Sequence, residues 1–242
     1  SSTENLILNE NDDNTFIDHS DENLILDEND DNTFIDSANE KAKLSNQNTY
    51  SFTKLNETLN GGNTVIDLTD NYKYSDGDEA FVNGIVIKKS ITINGNGITI
   101  DGSNTARIFK ISADNVIINN ITFTNAKADG NKLEDKYGGA ILWNGKNGTI
   151  SNSTFNNNTA NAYGGAIRWH GANGTISNST FNNNKAQIDG GSIFWNGRNG
   201  AVSNSTFINN TAKRGGAIEW YNGKYGDVSS CLFINNTATV SG

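Results

Sequence analysis

From Gly84 onward the chain is punctuated by short apolar runs: Ile85-Val-Ile87, Ile91-Thr-Ile93, Ile98-Thr-Ile100, Arg107-Ile-Phe-Lys-Ile111, Val116-Ile-Ile118 and Ile121-Thr-Phe123. Asn94-Gly-Asn-Gly97 and Asp101-Gly102 stand between them, so the pattern predicts short strands and tight turns. After this stretch the pattern becomes a repeat. Tyr137-Gly-Gly-Ala-Ile-Leu-Trp143 returns as Tyr163 to Trp169, Asp189 to Trp195 and Arg214 to Trp220. Each copy runs on into a Ser/Thr/Asn segment ending at Phe155, Phe181, Phe207 or Phe233, which are 26 residues apart (181−155, 207−181, 233−207). A fixed period of this size marks a solenoid, propeller or array. Twenty-six residues are too few for a four-stranded blade. They suit one coil of a parallel β-helix, three short strands joined by turns, with coils stacked about 4.8 Å apart.

Stacking turns the repeat into columns of equivalent positions. Ile141, Ile167, Ile193 and Ile218 form an inward column, and alternation places Trp143, Trp169, Trp195 and Trp220 on the same side. Ile150, Ile176, Val202 and Val228 make a second inward column and the phenylalanines a third. The residue between Ile and Trp changes freely (Leu142, Arg168, Phe194, Glu219), so that column is expected to face outward. Asn152, Asn178 and Asn204 fall at one turn, and Asn157, Asn183, Asn209 and Asn235 at another. Asparagine tolerates the left-handed corner conformation, and stacked side chains there are expected to hydrogen-bond from coil to coil.

Upstream, Phe52, Leu55 and Leu59 have helical spacing and Gly61-Gly62 ends the run. This predicts a capping helix over 49–61 on the open end of a β-helix occupying 62–242. Val65-Ile-Asp-Leu68 reads as the first strand and Asp70–Phe81 as a polar excursion. Phe123 precedes Phe155 by 32 residues, six more than the period, and the excess falls in Ala126–Tyr137, a charged loop expected to protrude. Residues 1–48 form an acidic leader in which Glu4–Asp18 recurs as Glu22–Asp36, 18 residues later. Asp27, Asn29 and Asp31 alternate like the opening of a calcium loop, but the glycine and closing glutamate of an EF-hand are missing. Calcium is a candidate ligand there; the plainer reading is an extended, solvated leader.

A net charge of −9 argues against nucleic acid as a partner. No apolar stretch is long enough to insert in a membrane. The single cysteine, Cys231, sits where other coils have Ser153, Ser179 and Ser205, which favours a small-residue role over a reactive thiol. A start at Ser1 and the lack of any methionine are expected of a processed or recombinant product. Thr237–Gly242 matches Thr159–Gly164, so the last coil stops at the first glycine of a fifth corner. It is expected to continue in a longer protein or to meet another molecule. One candidate partner is the leader of a neighbouring subunit, pairing through Leu6-Ile-Leu8 or Leu24-Ile-Leu26 in a head-to-tail filament.

The run Ser90–Gly102, then Ala106–Ile111, then Asn115–Phe123, resembles the adhesin-like surface proteins of methanogenic archaea. The Gly-Gly-Ala-Ile and Phe-x-x-Asn pair also resembles the repeats of chlamydial polymorphic outer-membrane proteins. Both families share the pectin-lyase-like right-handed β-helix. The resemblance covers about residues 50–242 and implies an all-β, right-handed parallel solenoid in a secreted or cell-surface setting. Residues 1–48 lie outside it.

The candidate binding residues are Leu142, Arg168, His170, Phe194, Glu219 and Tyr221, an apolar and aromatic strip mixed with charge that suits a glycan or a protein of another cell; the plainer reading is solvated strand residues. No catalytic or metal set is assigned. Carboxylates are sparse in the coils: Asp114, Asp189, Glu219 and Asp227, with Asp129, Glu134 and Asp135 on the charged loop. His170 has no evident acidic partner. The expected function is therefore non-catalytic adhesion without a cofactor, and the rival is a polysaccharide lyase or hydrolase. Ten Asn-x-Ser/Thr sequons coincide mostly with the asparagine turns, so the repeat accounts for them without glycosylation.

Overall fold

A coil this small must bend sharply several times, and asparagine supplies most of the bends. Asn152, Asn178 and Asn204 take φ of 51°, 49° and 48°, and Asn157, Asn183, Asn209 and Asn235 take 55°, 54°, 54° and 52°. These are left-handed conformations that asparagine reaches at low cost. Gly138, Gly164, Gly190 and Gly215, with φ of 56° to 68°, open the corner before each Ile-x-Trp strand. The structure, a computed structural model, describes residues 47–241. The leader repeats, the calcium expectation and the two Leu-Ile-Leu segments lie outside the described residues.

Between corners the chain runs in strands of two to five residues, and every pairing is parallel. One coil reads Ile167–Trp169, Thr175–Ser177, Thr180–Asn182 and Lys185–Ala186. Stacking these coils builds four sheets, of six, seven, eight and five strands respectively. We call them the tryptophan, serine, phenylalanine and alanine faces. A coil thus has four strands rather than the three expected. The fourth is a two-residue Thr-Ala or Lys-Ala step, too short to show as a periodic run, with the alanine buried.

The registers place like over like: Ile141 on Ile167, Trp143 on Trp169, Ile150 on Ile176, Phe155 on Phe181. All of these are fully buried. The phenylalanine rings stack at 4.8 Å from Phe123 through Phe207 and at 5.0 Å to Phe233. The indoles stack at 4.2, 4.7 and 4.9 Å. Each ring contributes about 2 kcal/mol by burial and each stacked pair about 1 kcal/mol more. The indoles demand glycine beside them: a Cβ at Gly148, Gly174, Gly200 or Gly226 would lie 2.2 to 2.4 Å from the tryptophan ring. In the last coil Val228 and Phe233 are 44% and 48% exposed. A depression there is lined by Ile218, Trp220, Val228 and Phe233.

The asparagine ladder is displaced by one residue from its expected place. The corner residues Asn157, Asn183 and Asn209 are exposed. It is the next residue, Asn158, Asn184, Asn210 and Asn236, that turns inward and stacks. Asn158 Nδ2 donates to Asn184 Oδ1 at 2.9 Å, Asn184 to Asn210 at 3.0 Å and Asn210 to Asn236 at 2.8 Å. Each Nδ2 also donates to a phenylalanine carbonyl in an earlier coil, and each Oδ1 accepts the backbone N–H of the equivalent residue beneath, Ala126 for Asn158 and an asparagine for the others. A second, exposed ladder runs through Asn115, Asn147, Asn173 and Asn199. Asn178 and Asn204 supply the backbone turn only, while Asn152 donates to Asn119. Buried serines repeat the logic: Ser179 Oγ donates to Ser177 O at 2.8 Å and accepts Ser153 N–H at 3.2 Å. Cys231 continues that column, its thiol on Ser229 O at 3.2 Å.

The N-terminal end is covered by α1 (Phe52–Asn60), which buries Phe52, Leu55 and Leu59. Ser51 caps it by accepting from Lys54 N–H at 3.2 Å. Thr49–Tyr50 precedes α1 and pairs with Asn71–Tyr72, so the stretch read as a polar excursion contains a strand with Tyr72 buried. Asp78 is also buried and holds the first turn, accepting from Phe52 N, Thr53 N and Thr53 Oγ1 at 3.0, 2.8 and 2.7 Å. Burial alone would raise its pKa, but hydrogen bonds from Thr53, Phe52 and Ser75 outweigh this and hold it below the ordinary carboxylate value. The charged loop is less free than expected. Buried Arg107 donates to the carbonyls of Asn83, Glu134, Tyr137 and Gly138 at 2.8 to 3.1 Å, tying the loop down beside buried Asp135. Burial lowers the Arg107 pKa to about 10, opposed by Asp135 and Glu134.

Two predictions follow from this architecture. Asn184→Ala is expected to cost about 3 kcal/mol, since it strips the acceptor from two donors of Asn158. The adjacent corner change Asn183→Gly should stay within about 0.5 kcal/mol; urea midpoints separate the two. For Asp78, a depressed folded pKa means its contribution is full above the unfolded carboxylate value near 4 and is lost as pH falls through the lower folded value. The protection of the Phe52 and Thr53 amides, relative to their intrinsic exchange rates, should therefore fall only in acid for the native chain, and be reduced at every pH for Asp78→Asn.

Candidate ligand-binding face

The outward column of the tryptophan face reads Val86, Lys110, Leu142, Arg168, Phe194 and Glu219 in continuous register. It does point away from the core, but it is not uniformly open to water. Leu142 and Phe194 are only 2% and 5% exposed, against the expectation for a surface strip. The residue before each Gly-Gly corner runs alongside and lays its side chain over the face. The Tyr163 ring packs on Phe194 at 4.8 Å and Tyr137 on Tyr163 at 5.2 Å. Tyr221 stacks on the far side of Phe194 at 5.7 Å. The result is a ribbon of four rings climbing the solenoid, with Phe194 as its buried middle and Tyr221 as its open end.

Charge is set into the ribbon at defined points. The Arg168 guanidinium lies 4.7 Å from the centroid of Tyr137, a cation–π contact. Burial lowers its pKa, and burial in turn raises that of Tyr137. His170 is exposed and its Nδ1 lies 3.3 Å from Asn196 Nδ2. Partial desolvation of its ring and then the neighbouring Arg168 charge lower its pKa, which favours the neutral imidazole. At the edge, buried Asp189 receives both donors of Arg214, Nε to Oδ1 and a terminal nitrogen to Oδ2, each at 2.8 Å. That hydrogen-bonded pair holds Arg214 above its ordinary pKa. Glu219 is half-buried; burial and then the Asp189 charge raise its pKa, with Arg214 opposing. Lys110 pairs with Glu134 of the charged loop at 3.3 Å.

Of the six candidate residues the structure thus gathers Arg168, Phe194, Glu219 and Tyr221 around one ribbon, with His170 beside it and Leu142 buried between Lys110 and Arg168. Tyr137, Tyr163, Asp189 and Arg214 complete the ribbon and lie outside the six candidates. Their signal was available, since they occupy one column immediately before Gly-Gly, and backbone bridges join Tyr163 to Asp189 and Asp189 to Arg214.

A family model described as a right-handed β-helix region matches residues 74–241. The chain belongs to that family. No curated protein and no solved structure matches it. Membership of the right-handed β-helix family settles the fold and leaves the chemistry to the site. In this β-helix the carboxylate nearest to Glu219 in charge coupling, Asp189, is occupied on both oxygens by Arg214. Among the described residues no group of three or more His, Cys, Asp and Glu is arranged to hold a metal ion.

Asp189→Asn tests the electrostatics of this edge. Removing the like charge while Arg214 remains should lower the Glu219 pKa, read by NMR titration of its carboxylate.

Proposed function

We propose that this chain is a non-catalytic adhesion module of a secreted or cell-surface protein, of the kind found on methanogenic archaea, that holds glycans of other cells on the Tyr137–Tyr221 ribbon. The observation that carries this is the unbroken stack Tyr137–Tyr163–Phe194–Tyr221 with Arg168 on its first ring. A sugar ring offers an apolar C–H face and a rim of hydroxyls. The outer edges of the stacked rings and the open end at Tyr221 match the first; Arg168, His170 and Asn196 match the second. The ribbon lies along one face and repeats at the coil spacing, which suits a polymer better than a small enclosed substrate.

A polysaccharide-cleaving reading has one observation in its favour, the raised pKa of Glu219 beside Asp189. Two carboxylates with different protonation are what glycoside hydrolysis uses. The bidentate hold of Arg214 on Asp189 weighs against it, because a carboxylate accepting two charged hydrogen bonds is a poor base or nucleophile.

A glycan array and a cell-binding assay test the proposal. Tyr163→Ala should weaken binding about tenfold, with an unchanged far-UV spectrum. Incubation with plant and microbial polysaccharides should release no reducing ends and no unsaturated products; release of either overturns the non-catalytic reading.

A further inference from the structure

Three arginines stand on or beside the tryptophan face, and two have their donors answered. Arg107 donates to four carbonyls and Arg214 to Asp189. Arg168 is different. It has no carboxylate within ion-pair distance among the described residues, and its Nε is buried without a hydrogen-bond partner. Its strand neighbours in register, Leu142 and Phe194, are both buried and apolar. The Tyr137 ring lies against its guanidinium. Glu219 shares its column but stands two coils away, about 10 Å by the strand spacing. A planar cation is thus held in an apolar and aromatic frame with part of its donor set unanswered. Such a group gains most from a planar or tetrahedral anion that accepts its hydrogen bonds.

Resting on the glycan reading above, we infer that the ribbon selects acidic polysaccharides, with the carboxylate or sulfate of one sugar docked on Arg168 and adjacent sugar rings lying against the edge of Tyr163 and the open ring of Tyr221. The net charge of −9 opposes any general attraction to acidic polymers. Recognition therefore rests on this one local contact, which salt screens less than it screens the long-range repulsion. His170 lies on the same strand side, two residues on from Arg168. As a neutral imidazole it can donate to or accept from a sugar hydroxyl without competing for the anion.

The test is calorimetry of the full chain at about 0.15 M salt with three oligosaccharides of equal length: neutral, uronate and sulfated. The two acidic ligands are expected to bind about tenfold more tightly than the neutral one. Arg168→Gln should abolish that preference, bringing the acidic and neutral ligands to equal affinity, and Arg168→Lys should restore part of it. A bound anion offsets the Arg168 charge felt by His170, so acidic ligands should raise the His170 pKa in the native chain. The chain has two histidines, His19 and His170, so two ring resonances suffice for the assignment. This readout needs no variant to fold. Preference for the uronate alone, or the sulfated ligand alone, identifies which anion is read and supports the inference. Equal affinity for neutral and acidic ligands, or a preference that survives Arg168→Gln, overturns it and leaves the glycan reading standing. Binding of none of the three overturns the glycan reading itself.

Discussion

Everything in this solenoid depends on keeping consecutive coils in register, and the buried asparagine ladder enforces that. An inward bend of the backbone leaves an N–H and a C=O with no strand partner. Asn158, Asn184 and Asn210 answer both, each through an amide that also bonds the amide above it. A slip of one residue would set an apolar or flexible group against those donors and leave them unsatisfied in the core. The stacked phenylalanines and tryptophans add free energy, but rings tolerate sliding. The ladder does not, and so it supplies specificity where the rings supply stability.

Register is also what assembles the ribbon proposed above as a binding face. Tyr137, Tyr163 and Phe194 come from different coils and from two different columns, yet their rings meet at 4.8 to 5.2 Å. No single coil contains the site. Arg107 secures its lower edge, since the carbonyls it holds belong to Glu134, Tyr137 and Gly138. The insertion that breaks the 26-residue period is therefore the segment that delivers the first tyrosine of the ribbon.

Identical residues at a fixed period revealed the inward columns, because only the core or a corner demands the same residue in every coil. Phe155, Phe181 and Phe207 needed no structure to be placed. The asparagine ladder lies one residue on from where the repeat places it, because Asn157 and Asn158 are chemically identical neighbours. Which of them turns inward depends on the left-handed φ of the first, and that is set by the three-dimensional path. Leu142 and Phe194 were read as exposed because alternation reports only which side of a strand a residue takes. It is silent about a side chain arriving from a neighbouring column, as Tyr163 does over Phe194. Arg107 occurs once, and a period carries no information about a residue that does not repeat.

The hydrogen bonds between coils lie along the long axis of the solenoid, as the parallel pairing in all four faces requires. A pull along that axis loads them one coil after another, like a zipper, instead of shearing a whole sheet at once. Each regular coil between Phe155 and Phe233 that opens yields 26 residues of chain (207−181), whose contour length is nearly 90 Å where the folded coil spanned about 5 Å. Coils beyond the loaded one keep their own ladder rungs and ring contacts, because each coil touches only its neighbours. A solenoid built this way lengthens in equal steps through its regular coils under tension and can re-form coil by coil on the next intact rung.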